Sequence, residues 1–331
     1  MQEDYESKLN ELVEKGLNKC SCVLFIGPEF IKFNGKDCHL AFYDTLPEED
    51  GVNVDKKKVR YDADEKIWHF DSKKIQREFY IVFSEFIEKT RDLNNPVFHK
   101  LASIPFPLIV SLIPDDTLNA AFLQYENFNF SFKSFMLDNE VPEPSRDHLL
   151  IYNIYGNIIN RTYVASHVDY LNFIMEYAKE DFPKNFKTAI KKASYLVFIG
   201  FEFDKWYNIL LLYILNIINN SGVENYAVEE QSAEELYKKL SDSDLKLFFI
   251  EKNSEQFIDD LFKNEKIALR EIIPQQEYLK KKIKSIQETI EKIKDRYPHC
   301  DPMEQRRLQL DMETLEKDKN VFINRLNKKG K

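Results

Sequence analysis

Leu9, Leu12, Val13 and Leu17 fall on one face of a helix, which the spacing predicts over Glu3 to Asn18. The pattern then switches to the unbroken apolar run Cys22 to Ile26, a buried strand ended by Gly27. The same switch recurs down the chain. Pro107 to Leu112 is a second strand, and the Pro114-Asp115-Asp116-Thr117 that follows suits a helix N-cap. Leu149 to Ile154 is a third, closed by Tyr155-Gly156. Tyr195 to Gly200 is a fourth, leading through Phe201-Glu202-Phe203-Asp204 into the apolar run Trp206 to Ile218. That run falls short of the ~20 residues that cross a bilayer, so it reads as a buried helix. Next come a strand at Tyr226 to Val228, an acidic helix at Ala233 to Leu240, a strand at Leu245 to Ile250 and a helix near Glu255 to Phe262. Strands alternating with helices predict an α/β domain over residues 1–270, its mostly parallel sheet covered by helices on both faces.

Two stretches depart from the alternation. Gly35 to Asp71 is charged, with Asp50-Gly51 and the run Lys56-Lys57-Lys58, which reads as a solvated turn. It forms an insertion over 36–72, either a small β element ending in Ile67-Trp68-His69-Phe70 or a mobile flap. The helix after it, Ile75 to Arg91, turns Phe79, Phe83, Phe86 and Ile87 toward a core. From Pro274 onward a heptad seam replaces the alternation. Ile283, Ile286, Ile290, Ile293 and Tyr297 lead to a break at Pro298, and Asp301-Pro302-Met303-Glu304 has the chemistry of a new helix start. Leu308, Met312, Leu315, Lys319, Phe322 and Leu326 continue the seam. Residues 274–331 are therefore expected to form an antiparallel, coiled-coil-like helical hairpin. Its seam docks on the body, on a second copy in a homo-oligomer, or on a protein partner.

Composition narrows the partners. The 331 residues carry 47 Lys and Arg against 56 Asp and Glu, a formal net charge of −9, which argues against nucleic acid. Cys20, Cys22, Cys38 and Cys300 lack the two close pairs of a zinc site, and the six histidines show no metal spacing, so no metal is expected. The polar, acidic N-terminal stretch reads as helix and not as a leader. Free thiols in a cytoplasmic, non-membrane setting are the expectation. No phosphate-binding Gly-x-x-x-x-Gly-Lys-Ser/Thr loop and no Gly-x-Ser-x-Gly elbow occurs.

Only 8 glycines occur, and Gly27, Gly156 and Gly200 each follow a core strand, where a doubly wound fold lets backbone amides approach an anion. The four pieces CVLFIGPEF, FPLIVSLIPDDTL, IYNIYGN and YLVFIGFEFDKW resemble, in order, the motifs of the sirtuin-like, Rossmann-type NAD-binding domain of bacterial antiphage defence proteins. The resemblance spans about Lys19 to Phe262.

In that family the first glycine loop holds the dinucleotide, an Asn and a His serve cleavage of the nicotinamide glycosidic bond, and the last Gly motif closes on the ribose. Carried over, the resemblance puts cofactor contacts at Gly27, Pro28, Glu29, Asp116, Gly156, Gly200, Phe201 and Asp204, and the catalytic positions at Asp115 and Tyr155. Pro28 and Glu29 replace Ala-Gly, Ile113 or Pro114 stands at the asparagine, and Tyr155 replaces histidine. A carboxylate at Glu29 repels pyrophosphate, and a tyrosine is a weak base at neutral pH. Glu202 or Asp204 also reads as a helix N-cap residue, for Asp204 on equal terms with a ligand role.

Two functions follow from the resemblance. The first is a catalytically degenerate scaffold or assembly subunit of a conflict system, with NAD bound only as a signal or not at all. The second is an NAD glycohydrolase, with Glu29 and Asp115 or Asp116 as its carboxylates. A third, independent of both, is another small ligand held near Gly27 and Gly200.

Overall fold

A computed structural model describes residues 2–33, 35–48, 54–135, 137–179, 182–218, 222–229, 247–299 and 302–328. The chain divides into two units. The first comprises Met1–Phe122 and Asn129–Arg270, the second Leu123–Phe128 and Glu271–Lys331.

The first unit opens with α1 (Gln2–Glu11), continued by a π-helical turn over Leu12–Leu17, and passes into β1 (Cys22–Ile26). The short ladder β2 (Lys32–Phe33) and β3 (Lys36–Asp37) leads to α2 (Cys38–Thr45). Asp37 caps this helix, its Oδ1 accepting from the amides of His39 at 2.9 Å and Leu40 at 3.0 Å. The antiparallel hairpin β4 (Val59–Asp62) and β5 (Ile67–Phe70) follows, then α3 (Lys73–Thr90) and α4 (Pro96–Ser103). Of the two alternatives for the 36–72 insertion the β element is found, joined by a helix. Phe42, Val59, Ile67 and Trp68 are buried in the same core as the sheet. The Asp50-Gly51 turn lies outside the described residues.

β6 (Leu108–Ser111), α5 (Thr117–Phe122), β8 (Phe130–Ser134) and β9 (Leu149–Asn153) continue the unit, with β7 (Tyr125–Glu126) belonging to the second. α6 (His167–Lys179) and α7 (Lys184–Lys192) precede β10 (Tyr195–Ile199). α8 (Trp206–Ile214) ends four residues before the apolar run does. β11 (Glu224–Glu229), β12 (Leu247–Glu251) and α9 (Ser254–Lys263) complete it. The expected acidic helix Ala233 to Leu240 and the first two residues of the strand expected from Leu245 lie outside the described residues.

Among the described residues, seven strands form one parallel sheet in the order β12-β11-β10-β1-β6-β9-β8. Successive side chains of a strand point to opposite faces. Every residue of β1, β6, β9 and β10 is buried, so both faces of the sheet's middle are covered. Phe25 of β1 stands opposite Phe198 of β10 in register, their rings stacked at 4.7 Å. β1 is central, with β6 on one side and β10 on the other. The chain thus reverses its direction of winding between β1 and β10, a topological switch point.

In the second unit β7 pairs antiparallel with β13 (Ile273–Pro274), and Gln275 donates its amide to the Gln124 carbonyl at 2.7 Å. α10 (Gln275–Arg296) and α11 (Pro302–Lys328) pack together across a 3-10 turn at Tyr297–His299, with Arg296 paired to Glu304 at the turn end. Leu279 and Ile290 are buried, whereas Ile283, Ile286, Leu308, Leu315 and Phe322 are only half-buried. The seam faces inward at its expected positions and is incompletely covered. Cys300 and Asp301, the expected cap, are outside the described residues. No helix among the described residues is long and apolar enough to cross a membrane.

Candidate functional site

In an open α/β sheet a ligand crevice opens beyond the carboxyl ends of the strands at the switch point. Here the loops leaving β1 and β10 meet at that place. The ladder is prolonged by one bond, from the Gly27 amide to the Ile199 carbonyl at 2.9 Å. Pro28 then opens a single 3-10 turn, Pro28–Phe30. A Cβ on Gly27 would lie 1.8 Å from the Gly200 carbonyl oxygen, and a Cβ on Gly200, at φ +58°, 2.4 Å from the Phe30 nitrogen. What these two glycines admit is each other's loop. Gly156, at φ +78°, likewise admits the Thr162 carbonyl, 2.2 Å from where its Cβ would be.

A residue absent from the sequence reading ties the two loops together. The turn of the β4–β5 hairpin ends at Lys66, in the left-handed region at φ +55°. Its ammonium contacts Glu29 on the β1 loop, lies 2.6 Å from Glu202 on the β10 loop, and is 3.7 Å from Asp37. Burial opposes the charge on Lys66, but the Glu202 and Glu29 carboxylates outweigh it and hold the ammonium above the ordinary lysine range. Burial pushes the Glu202 carboxyl above its usual range, with Lys66 acting against that rise.

The same hairpin turn is held from the other side. Buried Lys205 donates to the Asp64 carbonyl at 2.6 Å and to Asp204 at 2.9 Å, and the Tyr207 hydroxyl donates to the Glu65 carbonyl at 3.3 Å. Lys205, not Glu202 or Asp204, is the N-cap residue of α8, and its side chain makes no capping bond. The cap reading of those two acids therefore gives way to ion pairing.

Beside this cluster lies a cavity of about 1140 Å³, bounded by the two loops, the ends of β11 and β12, and Phe86 and Phe98 of α3 and α4. Its lining carries seven carboxylates against four lysines, a balance that disfavours a diphosphate. Glu29, Gly200, Phe201 and Asp204 line it; Gly27 and Pro28 do not, Gly27 facing the Gly200 carbonyl and Phe201 instead. Phe201 is also packed edge-on to Phe198 at 5.0 Å.

Asp115, Asp116, Tyr155 and Gly156 are not among the lining residues. Asp115 is buried at the end of β6, its Oδ1 accepting from the Thr117 amide at 2.6 Å and its carbonyl from Asn153 Nδ2 at 3.2 Å. Burial pushes its carboxyl up to about 6. Asp116 pairs with Arg91 at 2.7 Å. The Tyr155 hydroxyl donates to the Tyr207 carbonyl at 3.1 Å, its ring stands edge-on to Tyr170 and Phe173, and burial drives its acidity far from neutral pH. Of the motif positions, Glu29, Gly200, Phe201 and Asp204 thus lie on the cavity, whereas Asp115, Asp116, Tyr155 and Gly156, in the loops after β6 and β9, do not line it.

Sequence reasoning also missed the buried polar knot under the insertion. Trp68 Nε1 donates to His39 Nδ1 at 2.9 Å, and the Tyr163 hydroxyl lies 3.0 Å from His39 Nε2. An indole N–H only donates, so Nδ1 is bare and a neutral His39 carries its proton on Nε2. Burial lowers its pKa to about 4, with Asp37 opposing. Among the described residues no group of three His, Cys, Asp or Glu is arranged to hold a metal. No protein-family model matches the chain, and no curated protein matches it.

Proposed function

We propose that this protein is a sirtuin-like scaffold, an assembly subunit of a bacterial conflict system that does not hydrolyse NAD. The observation that carries the reading is Lys66. Its ammonium joins Glu29 to Glu202 across the switch point, so the chain's own ion pairs span the crevice that a dinucleotide would use in this class of fold. Support comes also from Tyr155, whose buried hydroxyl is committed to a backbone carbonyl. The half-buried seam of α10 and α11 supports recruitment of a second copy or another protein through the hairpin.

One observation favours the glycohydrolase instead. Asp115 carries a carboxyl poised near neutral pH, as acid–base catalysis requires, although it stands apart from the cavity. Incubation of the purified full chain with NAD separates the two. The scaffold reading expects neither nicotinamide nor ADP-ribose. Release that disappears in Asp115→Ala and Glu29→Ala would establish the hydrolase.

A further inference from the structure

α6 and α8 lie side by side and parallel. At their first turns His167 stacks on Trp206 with ring centroids 6.3 Å apart, and Tyr170 stacks on Tyr207 at 4.3 Å. Toward their last turns the Tyr177 hydroxyl donates to the Ile214 carbonyl at 3.3 Å. Both helices bury one face as the fold requires, through Tyr170 and Phe173 on α6 and Tyr207, Leu211 and Leu212 on α8.

Their outer faces also carry large apolar side chains, beside the exposed His167 and Asn172 of α6. Val168, Leu171 and Met175 step along α6 by three and four residues, Trp206 and Tyr213 lie two turns apart on α8, and all five are between 41 and 62% exposed. In α8 the usual polarity is reversed. Its one polar residue, Asn208, is buried, donating to the Glu202 carbonyl at 2.9 Å, while no charged residue occurs anywhere along the helix. A helix apolar all round is expected to be covered on every side.

We infer that this α6–α8 face is a two-fold interface with a second copy of the same chain, distinct from the helical hairpin. The area favours that occupant. The five side chains expose roughly 500 Å², at the upper end for a patch on a monomer. Two such faces together bury about 1,000 Å² from these side chains alone, close to the lower bound of a stable interface before any rim is counted. Polarity favours it too. The dipoles of α6 and α8 add because the helices run parallel, and a two-fold axis lying in the interface and perpendicular to the helices sets the partner's pair antiparallel, so that positive ends meet negative ends. The uncharged α8 places no like charges across the axis.

The test is self-association of the full chain from about 1 to 100 µM by light scattering, read beside tryptophan emission. Of the two tryptophans Trp68 is fully buried, so emission that shifts to the blue as concentration rises reports Trp206. Leu171→Glu with Tyr213→Glu is expected to weaken association at least tenfold and to abolish the shift. Leu171→Ser, milder at an exposed position, gives the same direction if the double variant misfolds. A monomer with constant Trp206 emission up to the highest concentration overturns the inference. So does association that these substitutions leave untouched and that a hairpin substitution, Leu315→Glu, removes.

Discussion

The Gly200 carbonyl oxygen stands 1.8 Å from the point where a side chain on Gly27 would begin. Gly27→Ala is therefore expected to destabilise the fold by roughly 3 kcal/mol or more, since backbone and not a pliable side chain must move. Gly200→Ala adds a left-handed backbone to a clash with the Phe30 nitrogen and should be as severe. Gly35, at φ +78° with open space around it, is the control, expected to cost only about 1 kcal/mol on the same change. Urea denaturation of the three variants ranks them.

Removing the Lys66 ammonium leaves Glu29, Glu202 and Asp37 facing one another. Lys66→Met is expected to lose about 2–3 kcal/mol near pH 7, the cost of uncompensated charge in a largely buried site. Without the lysine the burial that raises the Glu202 carboxyl loses its main counterweight, so this group holds its proton more tightly when folded than when unfolded. The variant should therefore regain stability as pH falls toward 5, and a deficit that stays constant over this range would refute the electrostatic account.

Two buried groups impose opposite pH slopes. Asp115 is raised to about 6 in the folded protein, so the folded state binds the extra proton and stability declines as pH rises from about 4 to 6. Asp115→Asn should remove that decline, worth on the order of 2–3 kcal/mol. His39 is lowered to about 4, so the unfolded state binds the extra proton and stability declines as pH falls from about 6.5 to 4. The Asp115 variant should accordingly show a steeper loss toward acid than the parent. Melting temperatures across this range in both proteins test the pair.

Ile290 is buried in the α10–α11 pair. Ile290→Glu puts a carboxylate among apolar side chains and should open the hairpin while the sheet stays folded. Amide hydrogen exchange should then quicken within 275–328 and stay slow in β1, β6 and β10. Uniform quickening would show that the two units unfold as one.

The middle of the sheet was legible because a strand buried on both faces reads as an uninterrupted apolar run, as in CVLFI and YLVFI. The hairpin was legible through its heptad spacing. β8 escaped because an edge strand with Ser131 and Lys133 alternating against Phe130 and Phe132 resembles a loop as much as a strand. At the candidate site the glycines were visible as punctuation, but what they accommodate was not, because the partner loop lies far along the chain. Lys66 left no local mark at all. It sits in a charged turn like any other, and its meaning comes from Glu29, 37 positions away, and from Glu202.

The central place of β1 also bears on synthesis. β1 leaves the ribosome well ahead of β10, and the strand that covers one of its edges begins at Tyr195, the register partner of Cys22. At typical elongation rates that partner follows roughly 10 to 35 s later. Through that interval a short, wholly apolar strand presents an open edge, the template on which nascent chains pair wrongly with one another. Chains stopped before Tyr195 should therefore aggregate or engage chaperones, whereas release of the first unit from that hazard comes only when β10 docks.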